Sequence, residues 1–223
     1  MKIKELQGIL DKKGLDAALF CNLGMEVNAN FMYFTRYEGA GALIVPKSGS
    51  AFLVVPKMEY EKAKKSFIKK IYPMDKKKFF EEVSLRFKQN KVKAGRLGID
   101  YNNFTLGTYK HFRRAFKGVK TDSVSLDCLR LRETNTVEEV SAIKKAFSLS
   151  NNILKKGLGN FSDFRKESEV SAFLEYEAKK LGLNLSFPVI VASGSNGSMP
   201  HYFPRNVKLK KGFCVVDFGI KYE

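Results

Sequence analysis

The chain has 223 residues, with 40 lysines and arginines against 23 aspartates and glutamates, so its formal net charge is +17. Hydrophobic residues make up 44% of the sequence and aromatic residues 13%, which is enough apolar material for a packed core and excludes a disordered basic tail. The three cysteines include no CxxC pair, which favours neither a disulfide framework nor a thiolate zinc site. This sparse cysteine content suits a reducing, cytoplasmic setting.

The distribution of charged and apolar residues bears on the possible partners. The N-terminus alternates lysine with isoleucine and leucine and lacks the apolar stretch of a signal peptide, and the longest apolar runs are far shorter than a bilayer span. We therefore expect no membrane association. The net charge of +17 would suit nucleic acid, but the basic residues are spread over many segments, so we interpret them as a solvated surface.

The first half of the chain alternates between helical and extended patterns. Apolar residues three or four positions apart predict an amphipathic helix over 2–13. Short apolar runs predict strands at 16–22, 41–46, 51–56, 67–74, 96–100 and 120–124, of which the second and third form a hairpin. Further helices are predicted at 57–65, 75–90 and 105–116, with Asp75 as the N-cap of the middle one. This alternation is typical of an α/β domain with a mixed sheet, which we assign to residues 1–125.

The pattern changes after a predicted linker at 126–132, and we assign 133–223 to a second domain. Thr136 and Glu139 have the spacing of a capping box at the start of a helix. The apolar stripe predicted for this helix comprises Val140, Ile143, Phe147, Ser150 and Leu154. A second helix is predicted over 166–181, followed by strands at 187–192 and 213–218 on either side of a glycine- and serine-rich loop.

Two polar residues of the second half are candidates for a functional site. His201 follows Pro200 in that loop, and loops held by a rigid sheet often present reactive groups. Asp217 interrupts an apolar run, where a buried carboxylate has to be paired, hydrogen-bonded or bound to a cation. A strand-end aspartate that accepts from a turn amide is an equal alternative. His111, in a basic amphipathic helix, is interpreted as a structural residue. A metal site made mainly of carboxylates is also possible, and its oxygen ligands would favour Mn, Co or Mg-like ions over a thiolate-bound zinc.

The segment 186–223 resembles the start of the catalytic core of the pita-bread metallopeptidases, which include Xaa-Pro aminopeptidases, prolidases and creatinases. The matching elements, in order, are Phe187-Pro188, Ile190 to Gly194, Asn196, Pro200-His201, Gly212 and Asp217-Phe218-Gly219. Upstream, LRETNTVEEVSAIKKA resembles the helix that opens that core. Residues 1–125, with NFMYFT, resemble the creatinase-type N-terminal domain of the same family.

This resemblance implies an α/β protein: a creatinase-like N-terminal α/β domain followed by the first half of a pita-bread α+β core. It implies that Asp217 is the first carboxylate ligand of a dinuclear metal site, and that His201 is a catalytic residue that also contacts the substrate. The expected cofactors are two divalent metal ions, Mn or Co, with Zn as a further possibility. The expected activity is hydrolysis of the peptide bond that precedes proline, by a homodimer. The resemblance does not separate dipeptidase from aminopeptidase.

The sequence also departs from the family pattern. The family requires a second aspartate, a histidine and two glutamates further along, and the sequence contains none of them after Asp217 except the terminal Glu223. We therefore expect this chain to carry only part of the active site and to be inactive by itself. Two alternatives stay open: a metal-free binding module of the same fold, and a creatinase-like hydrolase of a non-peptide substrate.

Overall fold

The computed structural model describes residues 2–23, 27–74 and 78–222. The chain divides into two compact units, Met1–Thr134 and Asn135–Glu223. Within the described ranges, the search for a helix long and apolar enough to cross a membrane finds none.

The first unit is a six-stranded mixed sheet with helices on both faces. Its strands are β1 (Ala17–Asn22), β2 (Gly41–Pro46), β3 (Phe52–Pro56), β4 (Lys70–Met74), β5 (Arg96–Ile99) and β6 (Lys120–Ser123). Its helices are α1 (Ile3–Lys12), α2 (Ala29–Thr35), α3 (Tyr60–Ala63), α4 (Phe79–Gln89), α5 (Leu106–Ala115) and α6 (Ser125–Glu133). The strand order is β4-β3-β2-β1-β5-β6, in which β1 pairs antiparallel with β2 and parallel with β5.

The central strands are apolar because both faces of the sheet are covered. Alternate residues of β1 enter different clusters: Ala18 and Phe20 pack with α1, α2 and α6, whereas Leu19 packs with α4 and α5. All six residues of β1 and of β2 are buried. Gly98 in β5 is required by close packing, since a Cβ there would lie 2.5 Å from Val124 Cγ1. A sheet buried on both faces explains why its strands are continuous apolar runs.

Most predicted elements of this unit are confirmed, including the hairpin formed by β2 and β3. The predicted linker 126–132 is instead part of α6, whose Cys128 and Leu131 lie in the core of the unit. Helix α2 was missed, although Asn28 caps it by accepting from two backbone amides. The predicted cap Asp75 lies outside the described residues, and α4 begins at Phe79.

The second unit packs two helices on short strands. Its helices are α7 (Val137–Gly159) and α8 (Glu167–Lys180), and its strands are β7 (Asn184–Leu185), β8 (Ile190–Ser193), β9 (Cys214–Asp217) and β10 (Ile220–Lys221). β8 pairs antiparallel with β9, and β10 pairs antiparallel with β7. A glycine-rich 3-10 turn, Gly194–Ser198, follows β8. Val170, Leu174 and Ala178 of α8 form its core with Ile153 of α7.

Helix α7 has the predicted capping box but packs through a different face. Thr136 accepts from the backbone of Glu139, and the Glu139 side chain accepts from the backbone of Thr136. The predicted stripe is largely exposed: Ile143 is 52% and Phe147 68% accessible, whereas Ile153 is 1% accessible. The prediction of the packed face was wrong because a 23-residue helix carries apolar residues on two stripes, and periodicity does not show which stripe has a neighbour.

We predict that Phe112→Ala lowers the free energy of unfolding of the first unit by about 3–5 kcal/mol. Phe112 has no exposed surface, and its ring packs against the rings of Phe80, Phe104 and Phe116. The control is Leu106→Ala on the same helix, where the side chain is 70% exposed and we expect a change within about 0.5 kcal/mol. Urea unfolding of both variants tests this, and equal losses would contradict the assigned core.

Candidate metal and substrate site

His201 and Asp217 line one cavity in the second unit. The cavity has a volume of about 340 Å³ and is lined by Phe187, Pro188, Ile190, His201, Tyr202, Phe203 and Asp217. It is positioned by the β8–β9 pair, in which Ile190 lies directly opposite Asp217. The two polar residues singled out from the sequence are therefore brought together, on a wall that is otherwise mainly apolar.

Asp217 is exposed rather than buried. Exposure alternates along β9, where Val215 and Asp217 face solvent and Cys214 and Val216 are half-buried. The expectation of a buried carboxylate was wrong because only one face of the β8–β9 pair is covered by the core around α8. Within the described part of the chain, the Asp217 carboxylate makes no hydrogen bond or ion pair. Its oxygens are therefore available to a ligand.

His201 is exposed, and its backbone is left-handed, with φ of 56°. A non-glycine residue in this conformation costs about 1–2 kcal/mol and persists when its surroundings hold it there. His201 lies between Pro200 and Tyr202, and the Tyr202 side chain is buried. The imidazole is thus presented at the surface by a backbone that its neighbour anchors.

Glu167, the first residue of α8, organises the loop that carries His201. It has no exposed surface. One carboxylate oxygen, Oε1, accepts from Ser193 N at 2.8 Å, Ser193 Oγ at 2.8 Å and Asn196 Nδ2 at 2.9 Å. The other, Oε2, accepts from the hydroxyl of Tyr202 at 2.7 Å. A single carboxylate therefore joins the end of β8, the 3-10 turn and the residue after His201.

The electrostatics of Glu167 follow from these contacts. Burial by itself raises the pKa of the Glu167 carboxyl, but the hydrogen bonds from Ser193, Asn196 and Tyr202 outweigh it and leave the pKa below its usual range. Burial and the bond to Glu167 raise the pKa of Tyr202. The ionised form of Glu167 is therefore the native one, beside a neutral tyrosine.

Sequence reasoning missed Glu167 because a glutamate in the first turn of a helix is ordinarily a solvated residue that favours the helix dipole. The only sequence signal is its position at the start of α8 together with a distant polar loop, and nothing in a single sequence connects the two.

His111 is exposed on α5 of the first unit, where it lines a second cavity with Phe79 and Arg114. Among the described residues, no group of three or more His, Cys, Asp or Glu side chains forms a metal-binding cluster.

We predict a specific pH dependence for Glu167→Gln. Because the folded pKa of Glu167 is depressed, the stability it contributes is present above the unfolded value and is lost as pH falls through the folded pKa. At neutral pH the variant should be about 1–3 kcal/mol less stable than the wild type, and this gap should shrink below about pH 4.5. Tyr202 and Cys214, the other titratable groups near Glu167, stay protonated over this range.

Urea unfolding at a series of pH values measures the gap. Glu175→Gln, on an exposed face of the same helix, is the control and should follow the wild-type profile. If the difference in unfolding free energy between wild type and Glu167→Gln is constant with pH, the ionised carboxylate does not stabilise the fold.

Comparison with known proteins assigns both units to families. The family described as the Creatinase/Prolidase N-terminal domain matches residues 2–134, and Metallopeptidase family M24 matches residues 141–223. An uncharacterized peptidase of Staphylococcus epidermidis is 29% identical over 230 residues, covering 99% of this chain and 62% of that protein. The Xaa-Pro dipeptidase of Pyrococcus horikoshii is 28% identical over 225 residues, covering 100% of this chain and 60% of that protein.

Solved structures of prolidases and of an X-Pro aminopeptidase have the same fold as this chain. The prolidase from Pyrococcus horikoshii OT3 superposes with a TM-score of 0.84 at 25% identity, covering 99% of this chain and 61% of that one. The X-Pro aminopeptidase from Thermotoga maritima has a TM-score of 0.82 at 22% identity, covering 94% and 59%, and shows the fold alone. The chain thus spans about three fifths of the length of its curated relatives. The predicted resemblance is confirmed: the chain belongs to the metallopeptidase family whose members join a creatinase/prolidase N-terminal domain to a pita-bread M24 domain.

Proposed function

We propose that the chain belongs to a cytoplasmic, homodimeric Xaa-Pro peptidase that hydrolyses the bond preceding proline with two divalent metal ions, Mn or Co rather than Zn. The single observation that carries the proposal is the cavity that brings the free carboxylate of Asp217 and the exposed imidazole of His201 together. The names of the relatives, an Xaa-Pro dipeptidase and a prolidase, support the same activity.

Asp217 would hold metal. Its exposed carboxylate has no competing partner among the described residues, and carboxylate oxygens suit Mn and Mg-like cations. Divalent cations, when bound, polarise a scissile carbonyl and make water nucleophilic at neutral pH. One carboxylate is too few to hold two such ions, so further donors would have to join Asp217. We accordingly propose that these 223 residues alone hydrolyse no Xaa-Pro substrate.

His201 would act on the substrate. A neutral imidazole can donate a hydrogen bond to a substrate carbonyl or move a proton at the leaving nitrogen. The surrounding wall suits proline, because the rings of Phe187 and Phe203 and the side chain of Ile190 offer apolar contact to a compact pyrrolidine ring. In this arrangement the apolar wall would orient the peptide, and His201 and Asp217 would lie beside the bond that is cleaved.

We predict that Asp217→Asn abolishes metal-dependent cleavage of an Xaa-Pro dipeptide by the protein as it occurs naturally, a loss of at least about 100-fold with Mn²⁺ or Co²⁺. The amide keeps the size of the side chain but removes the charge that binds a cation. Asp163→Asn, at an exposed acid of the same unit, is the control and should cleave like wild type. Wild-type protein that cleaves no Xaa-Pro substrate but binds RNA in a salt-sensitive way would instead support the binding-module alternative.

His201→Asn should lower kcat by about 10²–10⁴-fold, the usual contribution of a positioned acid or base. Asparagine tolerates the left-handed conformation observed here, so folding should be unaffected. Steady-state hydrolysis together with a thermal unfolding scan tests this. Unchanged kcat in a folded variant would remove His201 from the mechanism.

A further inference from the structure

The loop between β8 and β9 depends on one buried side chain. Its attachments to Glu167 come from three separate places: Ser193 at the end of β8, Asn196 in the 3-10 turn, and Tyr202. The amide of Asn196 also donates to the Tyr202 hydroxyl at 3.0 Å, which closes the network on itself. The side chains of Asn196 and Tyr202 and both donors of Ser193 therefore converge on the same two carboxylate oxygens.

Glu167 is itself fixed by the backbone around it. Its amide N–H donates to Val207 O at 3.2 Å, and the next amide, of Ser168, donates to Arg205 O at 3.2 Å. Glu169, in the first turn of the helix, accepts from Arg165 N at 2.7 Å. The carboxylate is consequently held in place from both sides, by the start of α8 and by the segment that follows His201.

This anchor acts on both residues of the candidate site. Tyr202 adjoins His201, and its hydroxyl ends in the network, so the network restrains the left-handed backbone of His201. Ser193 belongs to β8, the strand that pairs with β9 and sets Ile190 opposite Asp217. Moving the carboxylate would therefore change the position of the imidazole relative to Asp217 without touching either side chain.

We propose that Glu167 is a positioning residue: through Ser193, Asn196 and Tyr202 it fixes the His201 loop against the strand that carries Asp217. The role of this geometry in peptide cleavage rests on the proposed function, but the geometric coupling itself does not. Glu167 acts only through the loop and not on the substrate or the reacting atoms.

Histidine NMR tests the coupling directly, because the chain contains only two histidines, His111 and His201. In a ¹H–¹³C spectrum of the 223-residue chain, assigned with His111→Asn, Glu167→Gln should shift the His201 ring signals and leave those of His111 in the other unit unmoved. Tyr202→Phe, which keeps the ring and removes only the hydroxyl, should shift the same signals in a variant that disturbs the fold less. Unmoved His201 signals in both folded variants would overturn the proposal.

Glu177→Gln is the matched control. Glu177 is a second buried carboxylate of α8, 5% exposed, but it pairs with Lys156 at 2.7 Å and with Lys180 at 3.4 Å. Among the described residues it makes no hydrogen bond or ion pair with the loop. Its loss should leave the His201 signals in place. A His201 shift in Glu177→Gln equal to that in Glu167→Gln would assign the effect to general loosening of the unit and reject a positioning role.

A Mn²⁺ titration of the wild-type chain separates this inference from the proposed function. Paramagnetic broadening of the His201 signals, lost in Asp217→Asn, is expected if Asp217 is a metal ligand. Absent broadening and unimpaired Xaa-Pro cleavage by Asp217→Asn, together with a His201 shift in Glu167→Gln, would contradict the metal site and support the coupling. Broadening with no shift in Glu167→Gln or Tyr202→Phe would do the reverse.

Discussion

The arrangement of the second unit depends on how one buried carboxylate is compensated. Glu167 has no exposed surface and no ion-pair partner among the described residues, so hydrogen bonds have to replace the water it loses on folding. Four donors do this, and charge-assisted bonds of this kind are stronger than neutral ones. Because the donors belong to different parts of one loop, satisfying a single charge also orders the segment that presents His201.

Carboxylates of this unit have different roles because their environments differ. Glu167 is saturated with donors, and Glu177 is neutralised by Lys156. Asp217 lies at the open face of a strand pair, with no partner in the described ranges. A carboxylate without donors is the one that can take up a cation, whereas a saturated carboxylate can only hold structure. Local contact, rather than residue type, therefore separates the candidate ligand from the anchor.

The first unit uses a buried polar cluster for a related purpose. Asp100, which has no exposed surface, accepts from Asn30 at 2.8 Å, Asn103 at 2.7 Å and Ser125 at 2.8 Å. Arg132 of α6 donates from its guanidinium to Asn30 Oδ1, the side-chain amide oxygen, at 2.9 Å. These bonds connect Ser125, at the start of α6, directly to Asp100, and they connect Arg132, near its end, to Asp100 through Asn30 of α2. Residues expected to form a linker therefore belong to the compact unit. Buried polar groups thus add to the apolar contacts of Cys128 and Leu131 that make α6 part of this unit.

Features that depend on neighbours in the chain follow from the sequence: the strand and helix pattern of the first unit, the capping box at Thr136, and the motif that pointed to His201 and Asp217. The other features arise from contacts between distant segments. Three features depend on which elements pack together. They are the covered stripe of α7, the exposure of Asp217 and the packing of α6 in the first unit. Glu167 is 35 positions from Tyr202, so no local sequence pattern links the two residues. Folding removes water from both side chains, and each buried polar group then needs a hydrogen-bond partner, which the other supplies.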